Sequence, residues 1–282
     1  MPMVRVNPQT PCPVCGKADW CLVAADKGVA ICARVQSPLP KGEAGWLHKL
    51  TEDYSRPTWR PVKRPETKPA VDWLGLCNKY RRACRRNSLA WLANELGISV
   101  GALKRLRVGW NDQRRAFSFP MRVANGNPCG IRYRAYSGAK FSELHSSEGL
   151  FFLPGDLIAD YLVVVEGASD AAATMDLGFI SVVGRASCRG NVAQIENLCR
   201  RLNPRTVILI PDADFVGVQG ANQLRLRIER QSICVKTLVL PCGIKDVRAC
   251  VQETKNADWL ADQIGKLTEQ SPLQRTASND DV

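Results

Sequence analysis

The second half of the chain constrains its fold most, because fully apolar runs alternate there with helix-favouring segments. Tyr161-Leu-Val-Val-Val165 precedes Ala168 to Leu177, and Phe179 to Val183 precedes a helix at about 191–201. Thr206 to Ile210 comes before a helix at about 219–231, and Ile233 to Leu240 follows. Strands with no polar face must be covered on both sides, so the pattern predicts a mainly parallel α/β sheet between helices.

Ligands of such sheets sit beyond the carboxyl ends of the strands, and acids stand there. Glu166 follows Val163-Val-Val, and Asp212-Ala-Asp214 follows Ile208-Leu-Ile-Pro. In an extended Asp-x-Asp both side chains project to the same side. Three such charges repel unless a cation bridges them, and oxygen ligands suit Mg²⁺ or Mn²⁺, which clamp or activate phosphoryl oxygens. The competing reading is helix N-capping, which explains any one of these acids more readily than three.

Four of the 12 cysteines crowd near the N-terminus as Cys12-Pro-Val-Cys15, Cys21 and Cys32. Turn signals at 15–16 and 27–28 frame two short strands, Trp20 to Ala24 and Val29 to Ala33, so a hairpin returns Cys32 to the Cys-x-x-Cys turn. Thiols so placed supply tetrahedral ligation to structural zinc. Cys12 and Cys15 are the primary pair, Cys32 is next and Cys21 is the fourth ligand, with His48 as its alternative. A redox Cys-x-x-Cys would follow a strand and open a helix, and this one does neither. The other cysteines are dispersed singly and read as small buried hydrophobes.

Charge is uneven. Lys and Arg number 39 against 27 acids, and ten of the resulting +12 charges fall between Arg56 and Arg107. Such a block attracts polyanions, nucleic acid first; its bland alternative is a solvated linker and helix face. Pro57, Pro61, Pro65 and Pro69 mark Ser55 to Ala70 as an extended linker. Beyond it, Leu89, Leu92, Ala93 and Leu96 share a helix face that Gly97 ends, and Ser99 caps the next helix. A hairpin over 116–123 and 129–136 turns at Asn125-Gly126-Asn127. Neither a membrane span nor a secretory apolar region is present, which predicts a soluble, cytoplasmic protein.

Val-Val-Glu166-Gly167-Ala-Ser-Asp170, with Pro-Asp212-Ala-Asp214 and then Gly217 and Gly220, resembles the TOPRIM domain of bacterial and phage primases, topoisomerases and some nucleases. Leu-Pro-Cys-Gly-Ile-Lys245-Asp246 is similar to the third acidic motif of primases. Phe119-Pro-Met, Gly130-Ile-Arg132-Tyr-Arg134, Lys140-Phe and Gly149-Leu-Phe-Phe resemble their basic, strand-rich subdomain, and the cysteine hairpin stands where primases carry a zinc domain. One departure is that Cys32 is followed by Ala33-Arg34-Val35, without the second close ligand pair common in primase zinc modules.

The resemblance implies a zinc-binding domain at 1–54, the linker at 55–70, a basic primase-like subdomain at 71–157, a TOPRIM domain at 158–267 and a disordered tail at 268–282. It implies a DNA primase of a phage, plasmid or other mobile element, making short primers on single-stranded DNA from nucleoside triphosphates. Glu166, Asp212 and Asp214 would be catalytic and, with Asp246, would hold Mg²⁺ or Mn²⁺. Arg132, Arg134, Lys140 and Lys245 would contact the triphosphate or the DNA. Any helicase would be a separate partner, since the chain ends soon after the TOPRIM part. The alternatives are a TOPRIM nuclease and a non-catalytic DNA-binding replication protein. The latter rests on the helix–turn–helix spacing Ala93-x₃-Gly97-x₅-Leu103 with Lys104, Arg105 and Arg107 nearby.

Overall fold

The computed structural model describes residues 2–51, 70–187 and 190–268. The predicted linker, apart from Ala70, and the predicted tail, apart from Thr268, lie outside the described residues. The chain forms two compact units, divided after Thr67.

The first unit is an antiparallel sheet in the order β1 (Met3–Arg5), β2 (Leu22–Ala24), β3 (Val29–Cys32), β4 (Trp46–Lys49). The expected hairpin is β2–β3, pairing Leu22 with Ile31. Its outer neighbours, β1 and β4, carry too few apolar residues to be read as strands from sequence. Val6, Cys12, Cys21 and Cys32 pack as one buried cluster, and Ala24, Val29 and Ala30 are also buried. So small a core seldom holds a fold without a staple.

The second unit opens with α1 (Trp73–Ala83), α2 (Arg86–Leu96) and α3 (Val100–Arg105). Leu89, Leu92, Ala93 and Leu96 are buried, Gly97 ends α2 at φ 63, and the Ser99 hydroxyl accepts from Ala102 N–H, as the periodicity predicts. The chain continues as β5 (Gly109–Asn111), β6 (Ala116–Arg122), β7 (Pro128–Ala135), β8 (Lys140–Ser142) and β9 (Leu150–Phe151). It ends as β10 (Tyr161–Glu166), α4 (Ala168–Asp176), β11 (Val182–Arg185), α5 (Val192–Leu202), β12 (Thr206–Ile210), α6 (Phe215–Glu229), β13 (Cys234–Thr237), α7 (Val247–Val251) and α8 (Thr254–Thr268).

One sheet of order β13-β12-β10-β11-β9-β6-β7-β8 runs through this unit, with β5 paired to β6. Strands β10 to β13 are parallel, and the two-residue β9 is antiparallel to both β11 and β6. Both faces are covered. Val163, Val165, Ile208 and Ile210 pack under α4 and α8, and Leu162, Val164, Val207 and Leu209 pack under α5 and α6. Each fully buried Val or Ile there contributes about 1.5–3 kcal/mol, which fixes β10 and β12 at the centre and carries their acids to one edge.

Two details differ from the periodicity. Helix α6 starts at Phe215 instead of near 219, because Asp214 caps it by accepting from Gly217 N–H at 2.7 Å. The proposed recognition helix is only the six-residue α3, with Ala102 and Leu103 buried. Ser99 is clamped to Asp176 and Arg105 is ion-paired with Asp156. Of the three basic residues assigned to DNA there, Arg105 is therefore already engaged.

Candidate functional site

In the first unit a tight turn, with Gly16 at φ 69 and its N–H donating to the Cys12 carbonyl at 2.8 Å, sets Cys12 beside Cys15. Cys21 lies just before β2 and Cys32 ends β3. All four sulfur atoms lie within 4.8 Å of one another, with Cys15–Cys21 at 3.7 Å and Cys21–Cys32 at 3.9 Å. A tetrahedral zinc with bonds of about 2.3 Å requires sulfur–sulfur edges of about 3.8 Å, so the donor set fits that ion. Backbone N–H groups of Val35 and Arg34 donate to Cys32 Sγ at 3.2 and 3.4 Å, and that of Ala33 to Cys21 Sγ at 3.5 Å, an arrangement that favours thiolates. Burial would raise the Cys15 pKa, but the Lys17 N–H and the neighbouring thiols outweigh it and bring the group to about 7. His48 stays outside the cluster, its Nε2 lying 3.0 Å from the Val35 carbonyl.

In the second unit, Glu166 ends β10 and Gly167 turns the chain into α4 at φ 94. Glu166 stands in register with Arg185 at the end of β11, whose guanidinium donates to the Gly190 carbonyl at 3.0 Å. Asp212 follows β12, and the Ala213 N–H donates to the Lys245 carbonyl at 2.8 Å, which ties the Asp-x-Asp loop to the Lys245-Asp246 loop. Glu166, Asp212, Asp214, Lys245 and Asp246 thus share the carboxyl edge of the sheet.

Within the Asp-x-Asp pair Asp214 is extended, at φ −107 and ψ 164, and its charge acts on Asp212. Asp214 turns to cap α6, and Asp246 caps α7 by accepting from Ala249 N–H at 2.7 Å. The capping alternative therefore holds for these two and fails for Glu166 and Asp212. Among the described residues the acids do not close to a set with all ligand oxygens within 4.8 Å, as the four thiols do. Each cap takes one oxygen, Oδ1, of its carboxylate and leaves the other outside the helix terminus.

Glu166 and Asp212 are set for a cation all the same. Glu166 Oε1 is buried with no hydrogen-bond partner, a costly state for a carboxylate oxygen unless a cation or proton completes it. Burial pushes the Glu166 pKa up; the Arg185 charge and the Asp212 N–H oppose this, and the Asp214 and Asp170 charges add to it. Burial, then the charges of Glu166, Asp246 and Asp214, opposed by Lys245, push Asp212 up to about 7. Gly217 keeps the space open, since a Cβ there would stand 2.9 Å from Glu166 Oε1 and 2.7 Å from the Asp212 carbonyl oxygen.

Two members of the site are not among the residues assigned from sequence. Asp170, in the first turn of α4, is 6% exposed and accepts from the Arg248 N–H at 3.0 Å, which locks α4 to α7. Burial, relieved by that N–H, and the charges of Asp246 and Asp212 push its pKa up to about 7. Its signal was its place in the run Glu166-Gly167-Ala-Ser-Asp170, in the first turn of the helix that follows the strand. The other is Arg185, legible only as a basic residue ending the neighbouring apolar strand.

The basic residues gather in one cleft. Arg132, Arg134 and Lys140 line it, about 110 Å³ in volume, together with Phe119, Gly167 and Ser169. Lys140 is pushed down by burial and by Arg134, while the charge of Asp170 holds it up. Arg132 also donates to the Ser142 hydroxyl at 3.1 Å. The cleft thus gathers three cations with Gly167, Ala168 and Ser169, the start of α4 that directly follows Glu166.

No family model matches the chain, and no curated protein sequence matches it. Solved structures do match. The zinc-binding and RNA polymerase domains of the Aquifex aeolicus primase superpose with a TM-score of 0.56 at 15% identity, covering 95% of this chain and 80% of that one. A DnaG primase catalytic domain bound to single-stranded DNA gives 0.55 at 17%, covering 69% and 77%. The E. coli primase catalytic core gives 0.53 at 18%, covering 67% and 78%. At these identities the likeness establishes the fold, and the chain has that of the primase zinc-binding and catalytic-core modules.

Proposed function

We propose that the chain is a primase-like nucleotidyltransferase that joins nucleotides on a single-stranded DNA template. One observation carries the proposal: Glu166, whose Oε1 is buried with no hydrogen-bond partner among the described residues, and half-buried Asp212 stand at the strand ends, and Gly167, next to Glu166, joins Arg132, Arg134 and Lys140 in lining one cleft. An acidic edge next to a basic cleft suits a metal-bound triphosphate, since each neutralises one half of that ligand. Glu166 and Asp212 would hold a divalent ion, with Asp214 and Asp246 completing the edge through the carboxylate oxygens that do not cap helices, that of Asp246 lying 4.0 Å from Arg248 Nη2. When bound, the ion supplies charge stabilisation at the α-phosphate during attack by a 3′-hydroxyl. Arg132, Arg134 and Lys140 bind and orient the phosphates. Asp170 positions α7, and through it Asp246, by accepting from the Arg248 N–H.

The four thiols would hold one structural zinc, leaving no coordination position open. Trp20, 67% exposed beside that cluster in sequence, offers a face for a template base. A compared primase domain with this fold is bound to single-stranded DNA, which supports the same class of template here. The test is purified protein with a single-stranded template, labelled nucleotides and Mg²⁺ or Mn²⁺. Incorporation without strand cutting is expected. Cutting without incorporation would replace the proposal with the nuclease reading.

A further inference from the structure

A second arginine cluster lies across the sheet from the cleft. On one face Phe117, Phe119 and Met121 enter the main core; on the other Ala116, Ile131 and Tyr133 pack with Cys77 and Tyr80 of α1. Arg132 and Arg134 alternate with Ile131 and Tyr133, so they project away from α1. On the α1 side, where the β6–β7 register shifts at Met121/Arg122, a cavity of about 380 Å³ opens. Arg81, Arg107 and Arg122 line it, over an apolar floor that includes Leu74, Pro128 and Leu153.

Among the described residues no acid lines this cavity. Among the described residues, none of the three arginines has a carboxylate oxygen within 4.0 Å. Arg122 is 6% exposed and donates from Nη1 to the Gly126 carbonyl at 2.9 Å. Burial, and then the Arg107 charge, press its pKa down, and the groups opposing them are the thiols of Cys77 and Cys129, not carboxylates. A buried guanidinium keeps its charge and presents a planar fork of donors, which carboxylate or phosphate oxygens satisfy in pairs. Setting the exposed Arg81 and Arg107 beside this buried charge is unfavourable until an anion joins them. Arg81 and Arg107 also belong to the basic block at 56–107, which the acidic edge and the neighbouring cleft leave unused.

We propose that this cavity is a second phosphate-binding site, distinct from the acidic edge and independent of the primase reading. Its volume falls within the roughly 300–1,000 Å³ of small-ligand sites. It would take one phosphate on the three guanidinium groups, with the attached sugar and base over Leu74, Pro128 and Leu153. The phosphate comes from a free nucleotide or from the backbone of a single strand.

The experiment uses the full chain with its zinc bound, in chelator-free buffer without Mg²⁺ or Mn²⁺, so that no such ion can hold a phosphate at the acidic edge. Two fluorescent probes are titrated by anisotropy, a labelled adenosine diphosphate and a labelled oligothymidylate. The variants are Arg81→Gln, on the exposed face of α1, and Arg107→Gly, because glycine accepts the φ of 57° found there without strain. Melting curves like that of the wild type establish that both variants fold. A dissociation constant raised about tenfold or more in both variants is expected, the scale of one charge-assisted hydrogen bond. The effect on the diphosphate assigns the free nucleotide; the effect on the oligonucleotide alone assigns the strand. Unchanged affinity for both probes in the folded variants, or no binding of either probe to the wild type, overturns the proposal.

Discussion

Neutralising Asp212 should stabilise the protein free of Mg²⁺ and Mn²⁺, and the size of the effect follows from its surroundings. Its pKa rises from 3.8 to about 7, first through burial and then through the Glu166, Asp246 and Asp214 charges. A shift of about three pH units corresponds to about 4 kcal/mol, and solvent screening at a partly exposed group cuts this to about 1–2 kcal/mol. For an acid whose folded pKa is raised, the native state binds more protons than the unfolded state between about pH 4 and 7, so stability falls as pH rises through that window. Above pH 7 the whole cost is present. Asp212→Asn should therefore raise the melting temperature by about 2–8 °C at pH 8 without Mg²⁺ or Mn²⁺. The difference should shrink toward pH 4, where the wild-type carboxyl is protonated. Excess Mg²⁺ should restore the wild type and leave the variant unmoved, because a ligand stabilises only the state that binds it. Thermal melts across pH 4–8, with and without Mg²⁺, measure all three effects. A variant less stable than wild type at pH 8, or a difference independent of pH, would refute the reasoning. Asp214→Ala provides the contrast, since losing its cap on α6 should cost about 1 kcal/mol.

Purified protein should carry about one zinc per chain, as one four-thiol cluster implies; metal analysis should show its loss in Cys32→Ser and its retention in His48→Ala and Cys234→Ser. Gly217→Ala places a methyl 2.9 Å from Glu166 Oε1, so nucleotide incorporation should fall at least tenfold while the fold survives, read from activity beside a melting curve. Binding to single-stranded DNA should weaken steeply with salt, and replacing Arg81, Arg82, Arg85 and Arg86 by Gln should lower the log–log slope by up to about 3. An unchanged slope would assign those residues to solubility.

The parallel half of the fold was legible because burial on both faces leaves an unbroken apolar run. Thr206 to Ile210 is a strand as expected, Glu166 is the last residue of its strand and Asp212 falls just past the end of its own. Helix α2, with its glycine stop and the serine cap after it, was equally clear. Three things were hidden. Strands β1, β4 and β9 are too short or too polar to show a period. Asp214 and Asp246 cap helices, and an acid at a strand end looks the same in sequence whether it caps or ligates. Asp170 and Arg185 act through contacts made by packing, with α7 and with β10, and no local spacing encodes those. Cys234 and Cys242 are exposed, against the expectation of burial, because β13 is a sheet edge and the loop after it faces outward.

The most direct test of the central claim is template-dependent nucleotide incorporation by wild type and by Asp212→Asn/Asp214→Asn in the same Mg²⁺ or Mn²⁺ buffer. Asparagine keeps the cap on α6, because it serves that position nearly as well as aspartate, so the double variant should fold. Loss of incorporation in that folded protein, with the wild type active, is the expected result. Incorporation at wild-type rates by the double variant would contradict the assignment of catalysis to the acidic edge.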